Sequence, residues 1–167
     1  MQKFTIRKNR HSSKLFGFLP HFGFTFKNII KFSAKFDDNC LYDLHDVDNW
    51  DANKLYGVST SYNHMIQSGR IGWRCLDGEN IEVLAFVHDN HKFLEAQVLG
   101  TVKPNEWFNC SIVVKDYSFF FSFTKNNNTN VILIPKKTKG WKFKYKLFPF
   151  FGGNESAPHD MTIWIKK

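Results

Sequence analysis

Between Phe22 and Phe36 the apolar side chains fall on one parity: Phe22, Phe24, Phe26, Ile30, Phe32, Ala34 and Phe36. Thr25, Lys27, Lys31, Ser33 and Lys35 mostly take the other. A period of two puts alternate side chains on opposite faces of an extended chain. The stretch therefore predicts one long half-buried strand, or two joined by a bend near Asn28. The pattern recurs downstream. Ile81, Val83, Ala85 and Val87 alternate with Glu82, Leu84, Phe86 and His88, a segment apolar on both faces and so a central strand. Trp141, Phe143, Tyr145 and Leu147 alternate with Lys142, Lys144 and Lys146, and Met161, Ile163 and Ile165 follow the same rule.

Turn residues divide these runs. Asp77-Gly78 separates Arg70–Leu76 from Asn80–His88, a strong hairpin signal. Asp89-Asn90, Pro104-Asn105, Asp116 and Asn126–Asn130 punctuate the rest, and only Asp48–Lys54 offers a helical turn. Many short strands with regular turns predict an all-β, antiparallel two-sheet sandwich. A length of 167 residues suits a single domain over 1–167, with residues 1–20 as a basic N-terminal strand or arm. Nineteen Phe, five Tyr and five Trp agree with β-structure.

Several classes are excluded or unsupported. No apolar run approaches the ~20 residues that span a bilayer. Met1–Lys8 is charged without a continuous apolar segment, so no secretory signal is expected and a cytoplasmic or virion-associated location is the default. Cys40, Cys75 and Cys110 are far apart and odd in number, which predicts reduced thiols rather than a disulfide or metal framework. No G-x-S-x-G, P-loop or G-x-G-x-x-G is present.

Four blocks carry a resemblance: Phe36–Leu44, Asn53-Lys54-Leu55-Tyr56-Gly57, Ser68-Gly69-Arg70-Ile71-Gly72-Trp73-Arg74, and Leu147–Asp160. In this order they resemble an uncharacterised bacterial and phage-associated family with NKLFG, SARFGWR and PYFGG-x-x-x-APHD-I type blocks. Gly69 and Phe150 depart from that pattern. The resemblance implies a concanavalin-like or polysaccharide-lyase-like jelly-roll β-sandwich, with no settled activity.

Four groups of residues are candidates for function. Asp37, Asp38, Asp43, Asp46, Asp48 and Asp51 crowd hard oxygen ligands into one stretch of a basic chain, the chemistry of a structural Ca²⁺ site. A solvated loop with Asp caps fits the same pattern. In the second group, Arg70, Gly72 and Arg74 share one strand face, with Ile71, Trp73 and Cys75 on the other. Two Arg about 13–14 Å apart over a glycine gap suit a carboxylate, a phosphate or a uronic acid. His64, Ser68, Tyr62, Trp73 and His88 could add base, donor and stacking groups. Arg stems packed over the sheet and paired with surface acids are the alternative. The third is the Gly152–Asp160 block with His159, which reads more readily as a structural turn. The fourth is the lysine series Lys136, Lys137, Lys139, Lys142, Lys144 and Lys146. It suits an acidic partner, or protection of an edge strand.

The ligand-binding set expected from sequence is thus Arg70, Trp73, Arg74, His64, His88 and His159. The expected function is a non-enzymatic binding module or accessory structural protein recognising an acidic or neutral glycan or a protein partner. No cofactor is expected beyond a structural Ca²⁺. A lyase or hydrolase of acidic polysaccharide is the alternative from another class, and a phage virion structural protein is a third. Nucleic acid is disfavoured because lysine outnumbers arginine and no recognition motif is present.

Overall fold

The computed structural model describes residues 1–44, 50–75 and 77–167. Its strands are β1 (Gln2–Ile6), β2 (Lys14–Leu15), β3 (Leu19–Pro20), β4 (Phe24–Thr25), β5 (Ile29–Phe36), β6 (Asn53–Ser59) and β7 (Gln67–Cys75). They continue with β8 (Ile81–Asp89), β9 (Lys92–Val102), β10 (Phe108–Val114), β11 (Ser118–Lys125), β12 (Asn128–Pro135), β13 (Lys144–Leu147) and β14 (Met161–Lys166). One sheet has the order β1-β14-β5-β10-β11-β12 and a second β4-β13-β6-β7-β8-β9, both antiparallel throughout. The hairpin β2–β3 stands apart. The described residues hold no α-helix, and none of their helical segments is long and apolar enough to cross a membrane.

The sheets bury a continuous aromatic and aliphatic layer between them. Phe4, Phe36, Phe108, Phe119 and Phe121 from the first sheet meet Leu55, Tyr56, Ile71, Trp73 and Val83 from the second. Gly69 permits one of these approaches, since a Cβ there would lie 2.6 Å from the Phe119 ring. Hairpin turns use Asn where φ must be positive: Asn90 and His91 (φ 52° and 61°) join β8 to β9, and Asn126 and Asn127 (49° and 65°) join β11 to β12. Cys40, Cys75 and Cys110 are free and buried.

The alternation reads true within β5, where Ile30, Phe32, Ala34 and Phe36 are buried. It fails upstream: Phe22, Phe24 and Phe26 are exposed by 76%, 56% and 74%. The chain changes sheets between β4 and β5, so the side that faces the core is reset at the bend around Asn28. The same inversion occurs in β13, where Lys144 is buried and donates to Asn28 Oδ1 and the Lys142 carbonyl. Lys136 is also buried, bonded to Gln67 Oε1 and the carbonyls of Asp116 and Thr138. Nor is β13 an edge strand, because it lies between β4 and β6. The lysine series is therefore partly a set of internal clamps.

Candidate functional site

The register of the second sheet lines up one residue from each of its six strands: Phe24, Tyr145, Ser59, Ser68, His88 and Phe93. A parallel row two residues along contains Leu147, Gly57, Arg70, Phe86 and Ala96. Ile71, Val83, Ala85 and Val87 fill the core, so by alternation these rows occupy the opposite, outer face of the sheet. Gly57 makes room for Arg70, because a Cβ at Gly57 would sit 2.8 Å from Arg70 Cγ. The segment Ser12–Phe24 crosses beside this face and encloses a cleft of about 300 Å³, with Arg70 and Tyr145 in its lining.

The centre of the face is cationic and poor in partners. Arg70 is 7% exposed and its Nε has no hydrogen-bond partner. Among the described residues no carboxylate pairs with it. Burial lowers its pKa to about 10. His88, also 7% exposed, leaves Nδ1 without a partner, as the buried Ser68 leaves Oγ. Burial first, then the charges of Arg70, His64 and Lys54, push the His88 pKa down to about 4. His64 is lowered by the same burial and by Arg70 and Lys54. Burial and Arg70 lower Lys54 to about 8, against the opposing pull of Asp51. Lys54 Nζ donates to the Gly152 carbonyl at 3.0 Å and lies 4.9 Å above the Phe86 ring. Four cationic or potentially cationic groups thus sense one another on this face.

The expected ligand-binding residues separate under this geometry. Arg70, His88 and His64 form the cluster. Arg74 shares the face but is paired with Glu82 at 2.8 Å and lies 5.2 Å from the Trp50 ring. Trp73 is a correction: it is fully buried against Phe36, Tyr42 and Phe151 on the core side, and no ligand on the outer face can reach it. His159 lies beside β14, with Nε2 3.0 Å from the Asn39 carbonyl, while Asp160 accepts from the Lys8 amide. The Gly152 block is a turn that also holds the site, since its carbonyl anchors Lys54. Lys54, Tyr145 and Phe93 escaped the sequence reading. The alternation over 141–147 separates Tyr145 from the lysines without saying which face is the outer one, and the irregular register between Lys54 and Tyr56 hides Lys54.

Of the acidic run, Asp46 and Asp48 lie outside the described residues. Asp37 accepts from Trp164 Nε1 and pairs with Lys35 at 3.5 Å, and Asp38 accepts from Asn105 Nδ2. Asp43 lies exposed beyond the 3-10 turn Asp38–Cys40. Among the described residues no three His, Cys, Asp or Glu are grouped to hold a metal ion.

No family model matches the chain, and no curated protein matches it in sequence. Solved structures do. An alginate lyase from Klebsiella pneumoniae superposes with a TM-score of 0.50 at 7% identity, over 83% of this chain and 58% of the lyase. A pseudo-β-1,3-glucanase of Mycobacterium tuberculosis gives 0.49 at 15% identity, over 86% of this chain and 64% of that one. The likeness to the lyase shows the fold: an all-β, antiparallel jelly-roll sandwich. This chain spans less than two thirds of the length of either protein.

Proposed function

We propose that the outer face of the second sheet binds an acidic polysaccharide, with a sugar carboxylate seated on Arg70. The observation that carries this reading is a buried guanidinium with a free Nε and no described acidic partner. A buried, uncompensated cation costs several kcal/mol in general, so it points to a ligand that supplies the missing charge. Guanidinium and carboxylate match in planar geometry. The fold neighbour is named as a lyase of alginate, which makes alginate the first polymer to test. Calorimetric titration with alginate and polygalacturonate, against neutral xyloglucan, should show binding of an acidic polymer only. Binding of none of them, or of xyloglucan alone, would remove the reading.

Cleavage by β-elimination is a second reading, favoured by the placing of Tyr145 and His88 on one row flanking Arg70. Arg70 would neutralise the uronate, one flanking group would take the proton from C5, and the other would protonate O4 as the C4–O4 bond breaks. Hydrolysis by two carboxylates has less support. Among the described side chains of these strands, Glu82 is the carboxylate on this face, and Arg74 holds it. Absorbance of an unsaturated uronate product separates elimination from binding alone.

A further inference from the structure

Arg70 stands in the row next to the one that contains His88, and both ends of the His88 row are aromatic. Phe24 stands at one end, in β4, and Phe93 at the other, in β9, five strand spacings or about 24 Å apart. Each ring is exposed by more than half, 56% and 53%. Each is also braced from behind. Phe24 stacks on Phe143 with centroids 4.9 Å apart, and Phe93 packs on Phe86 at 5.0 Å. Between them the row runs through Tyr145, Ser59, Ser68 and His88, of which Ser59, Ser68 and His88 are buried, with Gly57 and Arg70 in the neighbouring row. Exposed rings held in place are preformed platforms that lose little entropy when a ligand stacks on them.

Building on the acidic-polysaccharide reading, we infer that Phe24 and Phe93 are outlying sugar-stacking subsites of one extended track. The polymer crosses the strands of the second sheet with its central carboxylate on Arg70. Single-stranded nucleic acid is the other polymer that pairs negative charge with stacking rings. It needs basic groups spread along the whole backbone path. Here Arg70, His88, His64 and Lys54 sense one another as one local cluster.

The test is a length series, from dimer to octamer, of alginate and polygalacturonate oligomers, titrated into the wild type, Phe24→Ala, Phe93→Ala and Arg70→Met, with oligo-dT as a control. Wild-type affinity should climb with length until the oligomer spans the row. Phe24→Ala and Phe93→Ala should each weaken octamer binding about tenfold, the scale of a lost ring contact, and leave dimer binding unchanged. Arg70→Met should abolish binding at every length. If Arg70→Met abolishes binding but the two Phe variants match the wild type on octamers, the track is wrong and the central site stands. If no acidic oligomer binds the wild type, both fail. Binding of oligo-dT in preference to the oligomers would transfer the face to nucleic acid. Both substituted rings are largely exposed, and unchanged melting temperatures would confirm that any loss comes from the missing platform.

Discussion

Arg70 combines two properties that ordinarily exclude each other, deep burial and the absence of a described ionic partner. On the proposed function this is stability given up for binding. Arg70→Met keeps the aliphatic stem and deletes the charge, so it should raise Tm in a scanning calorimeter while removing acidic-glycan binding. A fall in Tm would mean that the guanidinium stabilises the free protein. Gly57 is the companion test. A Cβ there would meet the Gly69 carbonyl oxygen as well as Arg70 Cγ, so Gly57→Ala should cost about 1–3 kcal/mol and displace Arg70. Protonation gives a further handle. His88 in the fold resists protonation down to about pH 4, whereas in the unfolded chain it titrates near 6.5. Its contribution to stability is therefore complete above 6.5 and is lost as pH falls from 6.5 towards 4. A bound carboxylate reverses that preference by favouring the imidazolium of His88 and His64. Acidic-glycan affinity should accordingly rise between pH 7 and 5, with proton uptake measurable by calorimetry in buffers of different ionisation enthalpy. Affinity that is flat or falling over that interval would place the anion away from both histidines.

At the level of the elements, much was legible and the failures have one cause. The central position of β8 followed from its two apolar faces, and the turns after Asp89 and around Asn126 were visible in their Asn-rich composition. Arg70 and Gly72 were correctly placed on one face because β7 alternates strictly. Alternation states that two faces differ, however, and not which of them is dry. In β13 the lysines looked wet and the aromatics looked buried. The structure has Lys144 inside, satisfied by Asn28 and a carbonyl, and Tyr145 on the outer face. Trp73 shows the converse error, since an aromatic beside two arginines is attractive as a platform until its parity assigns it to the core. The hairpins offer a stability test of their own. Asn126 and Asn127 both have positive φ, so Asn126→Val and Asn127→Val should each cost about 1–2 kcal/mol. For a chain of this size each kcal/mol lowers Tm by about 2–4 °C. Unchanged melting in both variants would contradict the turn geometry between β11 and β12.

At the scale of the whole molecule, a formal net charge of +8 attracts any polyanion, so attraction alone is weak evidence for the proposed site. Salt separates the two contributions. Diffuse attraction between exposed charges fades as the screening length falls below about 10 Å, whereas a carboxylate held on a buried guanidinium is screened far less. A binding component should therefore survive in salt for the wild type and vanish in Arg70→Met. The outer face of the first sheet provides the internal comparison. It also bears lysines, Lys31 and Lys166, but its central hydroxyls and amide are already bonded to one another, Ser33 to Asn109 and Ser111 to Ser122. The second sheet instead leaves Ser68, Arg70 and His88 with unused polar atoms. The most direct measurement is a crystal structure of the protein with an alginate or polygalacturonate hexamer. The account predicts a sugar carboxylate within hydrogen-bonding distance of the Arg70 guanidinium, on the outer face of the second sheet. A hexamer seated on Lys31 and Lys166 of the first sheet, with Arg70 left unpaired, would contradict it.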